Sequence, residues 1–343
     1  MKKIICLMVV AALCIGFAGR YALAAESPEE FYKKNTVTLI VASAPGAGAD
    51  FSGRLIAAYW KDVTGGTMEV KNIAGGGGIA GINAMNAAKP DGLTMGLQMY
   101  SGGFLVPQLT KNPTAQYDIT KLNFVVGGFG EPVAASISIK SPHTTIQDLQ
   151  KAKGLKMGSL AVNSGPAYIS TLMFRLLNLD AKIVTGYASG AEVNLAMGRG
   201  EIDIELVPLA QAVRGFEAGN NKRPFAVFAD KRLDALPDIP AFPELVQMTP
   251  EQRDLYDKVV DGVGSAIRMV ALPPGVDPAR VAYVRQALAK VLALPALVEQ
   301  SKTSFPFGTT SVVNEELDAF IAQSLTLNME ELEAMHAPYL SIR

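Results

Sequence analysis

Apolar residues along this chain fall into short β-branched runs that alternate with helix-spaced stripes. The run at 37–42 reads Val-Thr-Leu-Ile-Val-Ala and is followed by Ser43-Ala44-Pro45-Gly46-Ala47-Gly48-Ala49. Phe51, Leu55, Ile56 and Tyr59 then recur at helical spacing. This pattern predicts a buried strand, a tight small-residue loop, and a helix over about 50–62 with Asp50 at its N-cap. The motif repeats. A strand is expected at 67–73, then the glycine-rich 74–81 opening a helix with Ile82 and Met85, a stop at Lys89-Pro90-Asp91-Gly92, and a strand at 93–97. Strand–loop–helix units in series predict a mainly parallel sheet.

Beyond an irregular 102–123, strands are expected at 124–128, 133–139, 155–159, 183–186 and 202–207. Helices are expected at 145–153, 167–177, 192–198, 249–260, 278–291, 313–325 and 328–336. The loop 160–166 repeats the arrangement at 45–50, because a strand again meets small residues and a helix start. At each point backbone N–H groups and the positive end of a helix dipole converge, which makes a main-chain anion site. A plain tight turn fits the first loop equally well. Ser159, Asn163, Ser164 and Gly165 add hydroxyl and amide donors to the second.

Composition narrows the picture. Hydrophobic residues make up 49% and charged residues 18% of 343, enough for a large core and two domains. Residues 1–24 carry Lys2 and Lys3, an apolar stretch and Ala22-Leu23-Ala24, the pattern of a cleaved export signal. Both cysteines, Cys6 and Cys14, lie inside it, so the mature chain is expected to lack disulfides, as in a bacterial periplasmic protein. Without Lys2, Lys3 and Arg20 the 31 bases fall to 28 against 32 acids, a net charge of −4. Neither a basic excess nor an aromatic platform points to nucleic acid or an anionic membrane. An anionic ligand would be held by local geometry.

No catalytic set is visible. His143 and His336 are far apart in sequence, and there is no metal-ligand spacing, cysteine nucleophile or G-x-S-x-G. Gly76-Gly77-Gly78-Ile79-Ala80-Gly81 fits G-x-G-x-x-G, but it follows the second strand and no acidic residue ends a strand about 20 residues later. Packing under a glycine loop is the better reading. Asp50 either caps its helix or orders the loop. Asp203 either accepts from a ligand amino group or satisfies local backbone. Tyr187 either donates into a cleft or packs at a hinge. Arg54 and Arg175 read as solvated helix faces.

Six segments, in order, resemble one family. They are 37–50, 72–81, Ala88-Lys89-Pro90-Asp91-Gly92-Leu93-Thr94, 187–203, 229–240 and Pro273-Pro274-Gly275-Val276. They resemble the tripartite tricarboxylate transporter substrate-binding receptors, the Bug-type periplasmic binding proteins. Ala47 and Ala49 stand where the family's first loop has Gly and Thr. The resemblance implies an α/β fold of two lobes closing as a clamshell, each a mainly parallel sheet flanked by helices. Lobe one would be 36–130 plus 235–343 and lobe two 131–234, with two hinge crossings. It implies a monomeric receptor, without cofactor or metal, that passes a small organic carboxylate or amino acid to membrane components of a transporter. The expected ligand-binding residues are Pro45, Gly46, Ala47, Gly48, Ala49 and Asp50 from one loop, Ser159, Ala161, Asn163, Ser164 and Gly165 from the other, and Tyr187 and Asp203. The rival readings are a sensing subunit and an exported dinucleotide enzyme.

Overall fold

The structure, a computed structural model, describes residues 26–159, 162, 164–187, 190–264 and 266–341. The expected export signal at 1–24 lies outside the described residues, as do Ala161 and Asn163. Twelve strands are described: β1 (Val37–Val41), β2 (Met68–Asn72), β3 (Thr94–Met99), β4 (Asn123–Gly130), β5 (Val133–Ile137), β6 (Leu155–Gly158), β7 (Ala181–Val184), β8 (Ile204–Pro208), β9 (Ala226–Val227), β10 (Arg268–Leu272), β11 (Thr310–Val312) and β12 (Leu340–Ser341). They form two six-stranded sheets, ordered β11-β4-β10-β3-β1-β2 and β12-β7-β6-β8-β5-β9. The principal helices are α1 (Gly48–Thr64), α2 (Ile79–Asn86), α3 (Gly165–Leu177), α4 (Gly190–Arg199), α5 (Leu209–Glu217), α6 (Pro250–Asp257), α7 (Pro278–Leu292), α8 (Asn314–Ser324) and α9 (Met329–His336).

Strand β1 explains the first sheet. It lies between β2 and β3, parallel to both. Val37, Leu39 and Val41 enter a core with Leu55, Ile56 and Trp60 of α1 and Val284, Leu288 and Val291 of α7. Ile40 and Ala42 face the opposite core with Ile82 and Met85 of α2. Both faces are covered, so the sequence reads as a continuous apolar run. Fully burying each such aliphatic side chain contributes about 1.5–3 kcal/mol.

The expected mainly parallel sheets are mixed. In the first, β10 runs antiparallel to β3 and β4, and β11 antiparallel to β4. In the second, β12, β7, β6 and β8 are parallel neighbours, while β5 opposes β8 and β9 opposes β5. The passages between sheets cause this. Strand β4 leaves the first sheet and continues through Glu131-Pro132 into β5, while β10 re-enters from the second. Strands that begin at the crossing run opposite to those whose C-terminal ends carry the loops. The sequence pattern foretells neither β10 nor α5, since β10 is short and flanked by loop-like residues.

The chain passes between sheets once more near its end. Helix α8 packs on β4, whereas α9 packs on α3 and β12 extends the second sheet beside β7.

Candidate functional site

A cavity of about 360 Å³ lies between the two sheets. Gly77, Gln98, Met99 and Ser101 reach it from the first, and Ser159, Ser164, Val193, Leu206 and Gln211 from the second. Val133, at the start of β5, and Gly264 and Ala266, from the passage into β10, form part of its wall. Among the described lining residues none carries a formal charge. The wall is aliphatic with a few amide and hydroxyl groups, an arrangement suited to a small organic molecule.

The second-sheet loop faces the cavity. Ser159, Ser164 and Gly165 all line the cavity. Ser159 Oγ and Ser164 Oγ are 2.9 Å apart, and Ser164 caps α3 by accepting from Ala167 N at 3.3 Å. Pro166 follows the cap in the first turn, where its missing N–H is harmless. Gly165 is required by close approach, because a Cβ there would run into the Val263 carbonyl oxygen. Tyr187 is buried among Val193, Ile202 and other apolar residues, with its ring beside Gly158. Asp203 does not line the cavity. Its carboxylate accepts from Lys156 N at 3.0 Å, satisfying backbone beside β6.

Pro45, Gly46, Ala47, Gly48, Ala49 and Asp50 are not part of this cavity wall. Helix α1 begins at Gly48 with Ala47 as its N-cap, and no side chain caps it. Asp50 is therefore inside the first turn rather than at the N-cap. Its carboxylate reaches back to accept from Gly46 N at 2.8 Å, and also from Arg54 Nε at 3.0 Å and Asn72 Nδ2 at 2.9 Å. Burial alone would raise its pKa, but these three donors outweigh it and hold the carboxyl below the usual range. Asp50 orders the loop, and Arg54 is its partner rather than a free solvated charge.

The first N–H groups of a helix have no intrahelical partners, and those of α1 have no side-chain cap to accept from them. Beside them lies Arg268, at the start of β10 and paired in register with Met99. A Cβ on Gly48 would come 2.9 Å from Arg268 Nη2. The guanidinium donates to Phe129 O at 2.6 Å and lies 5.1 Å from the Phe305 ring centroid. Burial lowers its pKa and Glu131 opposes that shift. The positive end of the helix and the guanidinium thus both lie beside this exposed loop, which the Asp50 carboxylate orders from within.

Sequence reasoning missed three residues. Gln211 lines the cavity from α5, and its Nε2 is buried with no partner among the described residues. Its amide sits over Gly190, where a Cβ would occupy the same space. Arg268 carries no motif. Gly77, with φ +69°, lines the cavity, whereas Gly78 and Gly81 pack tightly against Gln98 and Ala42 as a glycine loop under a sheet should. Gln98 is itself engaged, donating to Ala42 O and accepting from Met99 N.

Residues 53–333 match the model of the tripartite tricarboxylate transporter family receptor, TctC. The chain belongs to this family. Protein BugT of Bordetella pertussis is 26% identical over 328 residues, spanning 93% of this chain and 94% of that protein. Among solved structures, a TctC solute-binding protein from Polaromonas superposes with a TM-score of 0.69 at 18% identity, covering 88% of this chain and 98% of that one. The periplasmic binding protein BugD gives 0.66 at 20% identity over 89% and 99%. Rpa4515 of Rhodopseudomonas palustris, solved with adipate, gives 0.65 at 20% over 88% and 97%. The TctC-family receptor is thus a two-lobed clamshell with a mixed sheet in each half, the architecture of periplasmic solute-binding proteins.

Proposed function

We propose that this TctC-family receptor is exported, acts as a monomer without cofactor, closes on a small organic carboxylate, and presents the closed form to membrane components of a tripartite tricarboxylate-type transporter. The observation that carries the reading is the uncharged cavity between the sheets, faced by the buried, unpartnered Nε2 of Gln211. An unsatisfied buried amide donor costs about 1–3 kcal/mol, which a ligand oxygen would recover. Adipate in Rpa4515 agrees with a carboxylate class.

In this reading lobe one is 36–130 plus 235–343 and lobe two 131–234, with the tail from α9 onward lying against lobe two. Ser159, Ser164 and Gln211 hold the ligand on lobe two. The open N–H groups at Gly48 and Ala49, with Arg268 beside them, take a carboxylate oxygen from lobe one as the lobes approach. Charge-assisted hydrogen bonds are worth about 1.5–3 kcal/mol each, so two or three offset the dehydration of one carboxylate. Contacts available only when the lobes meet supply the differential affinity that shifts the population to the closed state.

The test is thermal unfolding of residues 25–343 with adipate, malate, citrate, glutamate and benzoate, and with NAD and ATP as controls. A ligand at 100 times its Kd adds about 2.7 kcal/mol, a shift of several degrees. A shift with one class of acid is expected. A shift with a nucleotide and none with the acids overturns the reading.

A further inference from the structure

The tail that crosses back to the second sheet ends its last helix on a buried histidine. His336 is 3% exposed. One imidazole nitrogen, Nε2, lies 2.7 Å from the carbonyl oxygen of Val162, and Nδ1 lies 2.6 Å from the hydroxyl of Thr171. The ring rests against Tyr168, with centroids 4.9 Å apart. Val162 belongs to the loop that runs from Ser159 to Ser164, and both of those serines line the cavity. Thr171 and Tyr168 lie on α3, the helix that this loop opens into. One side chain therefore grips the backbone of the loop and the helix behind it, from 174 residues away in sequence.

Burial lowers the pKa of His336, with the Val162 hydrogen bond and Glu333 opposing. A neutral ring fits its partners: Nε2–H donates to Val162 O and Nδ1 accepts from Thr171 Oγ1–H, an assignment made from the network. An apolar side chain of similar size would fill the space and leave the loop carbonyl without its donor.

We propose that His336 is a positioning residue of the ligand site, and that the C-terminal tail uses it to hold the Val162 backbone between the two cavity-lining serines, Ser159 and Ser164. The inference rests on that cavity being the ligand site. It gives the tail a task beyond adding an edge strand, since the donor arrives from a segment that packs on lobe two without belonging to its chain run.

The test is hydrogen–deuterium exchange on the ligand-free full chain, comparing wild type with His336→Leu and His336→Gln. In His336→Leu, peptides covering 159–166 should exchange about tenfold faster, the factor that corresponds to one lost hydrogen bond, while β6 and β8 are unchanged. His336→Gln keeps an amide donor near the Nε2 position and should return most of the protection. Thr171→Val, which loosens the ring from α3 without removing it, should speed the same peptides by a smaller factor; it stands in if His336→Leu does not fold. Unchanged exchange at 159–166, an equal rise across the strands of the second sheet, or a Gln variant no better than Leu overturns the proposal. Exchange is read without ligand, so a negative acid panel and a negative result here are separate failures.

Discussion

Two loops of this receptor share a local plan and satisfy it in opposite ways. Each joins a strand to a helix through small residues. At Ser159–Gly165 the helix is capped by Ser164, and Ser159, Ser164 and Gly165 already line the cavity. At Ala44–Gly48 the helix is uncapped, and most of the loop is exposed beside a half-buried arginine, Arg268. The first loop spends its carboxylate, Asp50, on its own backbone and leaves helix N–H groups open. The second satisfies its helix end internally and offers hydroxyls. An anion site needs unsatisfied donors held rigid, so in the proposed reading the uncapped end takes the carboxylate and the capped end makes neutral hydrogen bonds.

The largest expected effect separates the carboxyl groups beneath the two loops. Glu205 of β8, opposite Gly158 in register, is fully buried, and burial raises its pKa to about 7, with Asn194 opposing. A carboxyl raised in this way contributes most below its unfolded value, and the contribution is lost as pH rises from about 4.5 through 7. Asp50 behaves oppositely. Its depressed pKa contributes stability above the unfolded value, about 3.9, that is lost as pH falls further. Glu205→Gln should therefore be more stable than wild type at pH 8, by up to about 3 kcal/mol, and nearly equal to it at about pH 4. Urea unfolding at the two pH values decides this, and parallel curves for the two proteins would refute the assignment.

Asp50→Ala comes next. It strands Gly46 N and the Asn72 amide, and should cost about 2–3 kcal/mol in denaturant unfolding. A change below about 0.5 kcal/mol would mean that the loop is ordered by something else. The two glycines sharpen the contrast. Gly165→Ala meets a backbone carbonyl that cannot move aside, and should lose about 1–3 kcal/mol. Gly48→Ala meets only the end of the Arg268 side chain, so it should be close to neutral in stability and act on ligand affinity instead; equal losses in stability at both sites would erase the distinction. The smallest expected loss of stability, apart from the near-neutral Gly48→Ala, is Ser164→Ala, about 1 kcal/mol from the lost cap. Its melting temperature should drop by a few degrees, and no drop would mean that the loop's other bonds hold the helix start.

The sequence carried much of this molecule. The runs at 37–42, 155–159 and 202–207 mark strands of both sheets, and the stripe through Val284, Leu288 and Val291 marks the helix that covers the first. Ser159, Ser164 and Gly165, which line the cavity, are legible as candidates because hydroxyl-bearing and small residues meet a helix start there. Gln211 is not legible. A glutamine on an amphipathic helix reads as solvated, and only its place over Gly190 buries the amide. Arg268 looks like the polar start of a short strand until Phe129, Phe305 and the end of α1 close around it. Asp50 was read correctly as belonging to a helix start but misplaced in it, since Asp serves both at the N-cap and in the first turn.

Local periodicity, loop chemistry and the order of motifs were determined by the chain itself, because each depends on residues within a few positions of one another. They suffice for two α/β halves and for the family. Which loop faces the cavity, the reversal of β5 and β10, the return of the tail to the second sheet and the meeting of His336 with Val162 were decided by tertiary structure alone. Those outcomes depend on how strands from distant segments close into sheets, and sheet partners are chosen by packing across the whole core, for which no short stretch of sequence holds the information.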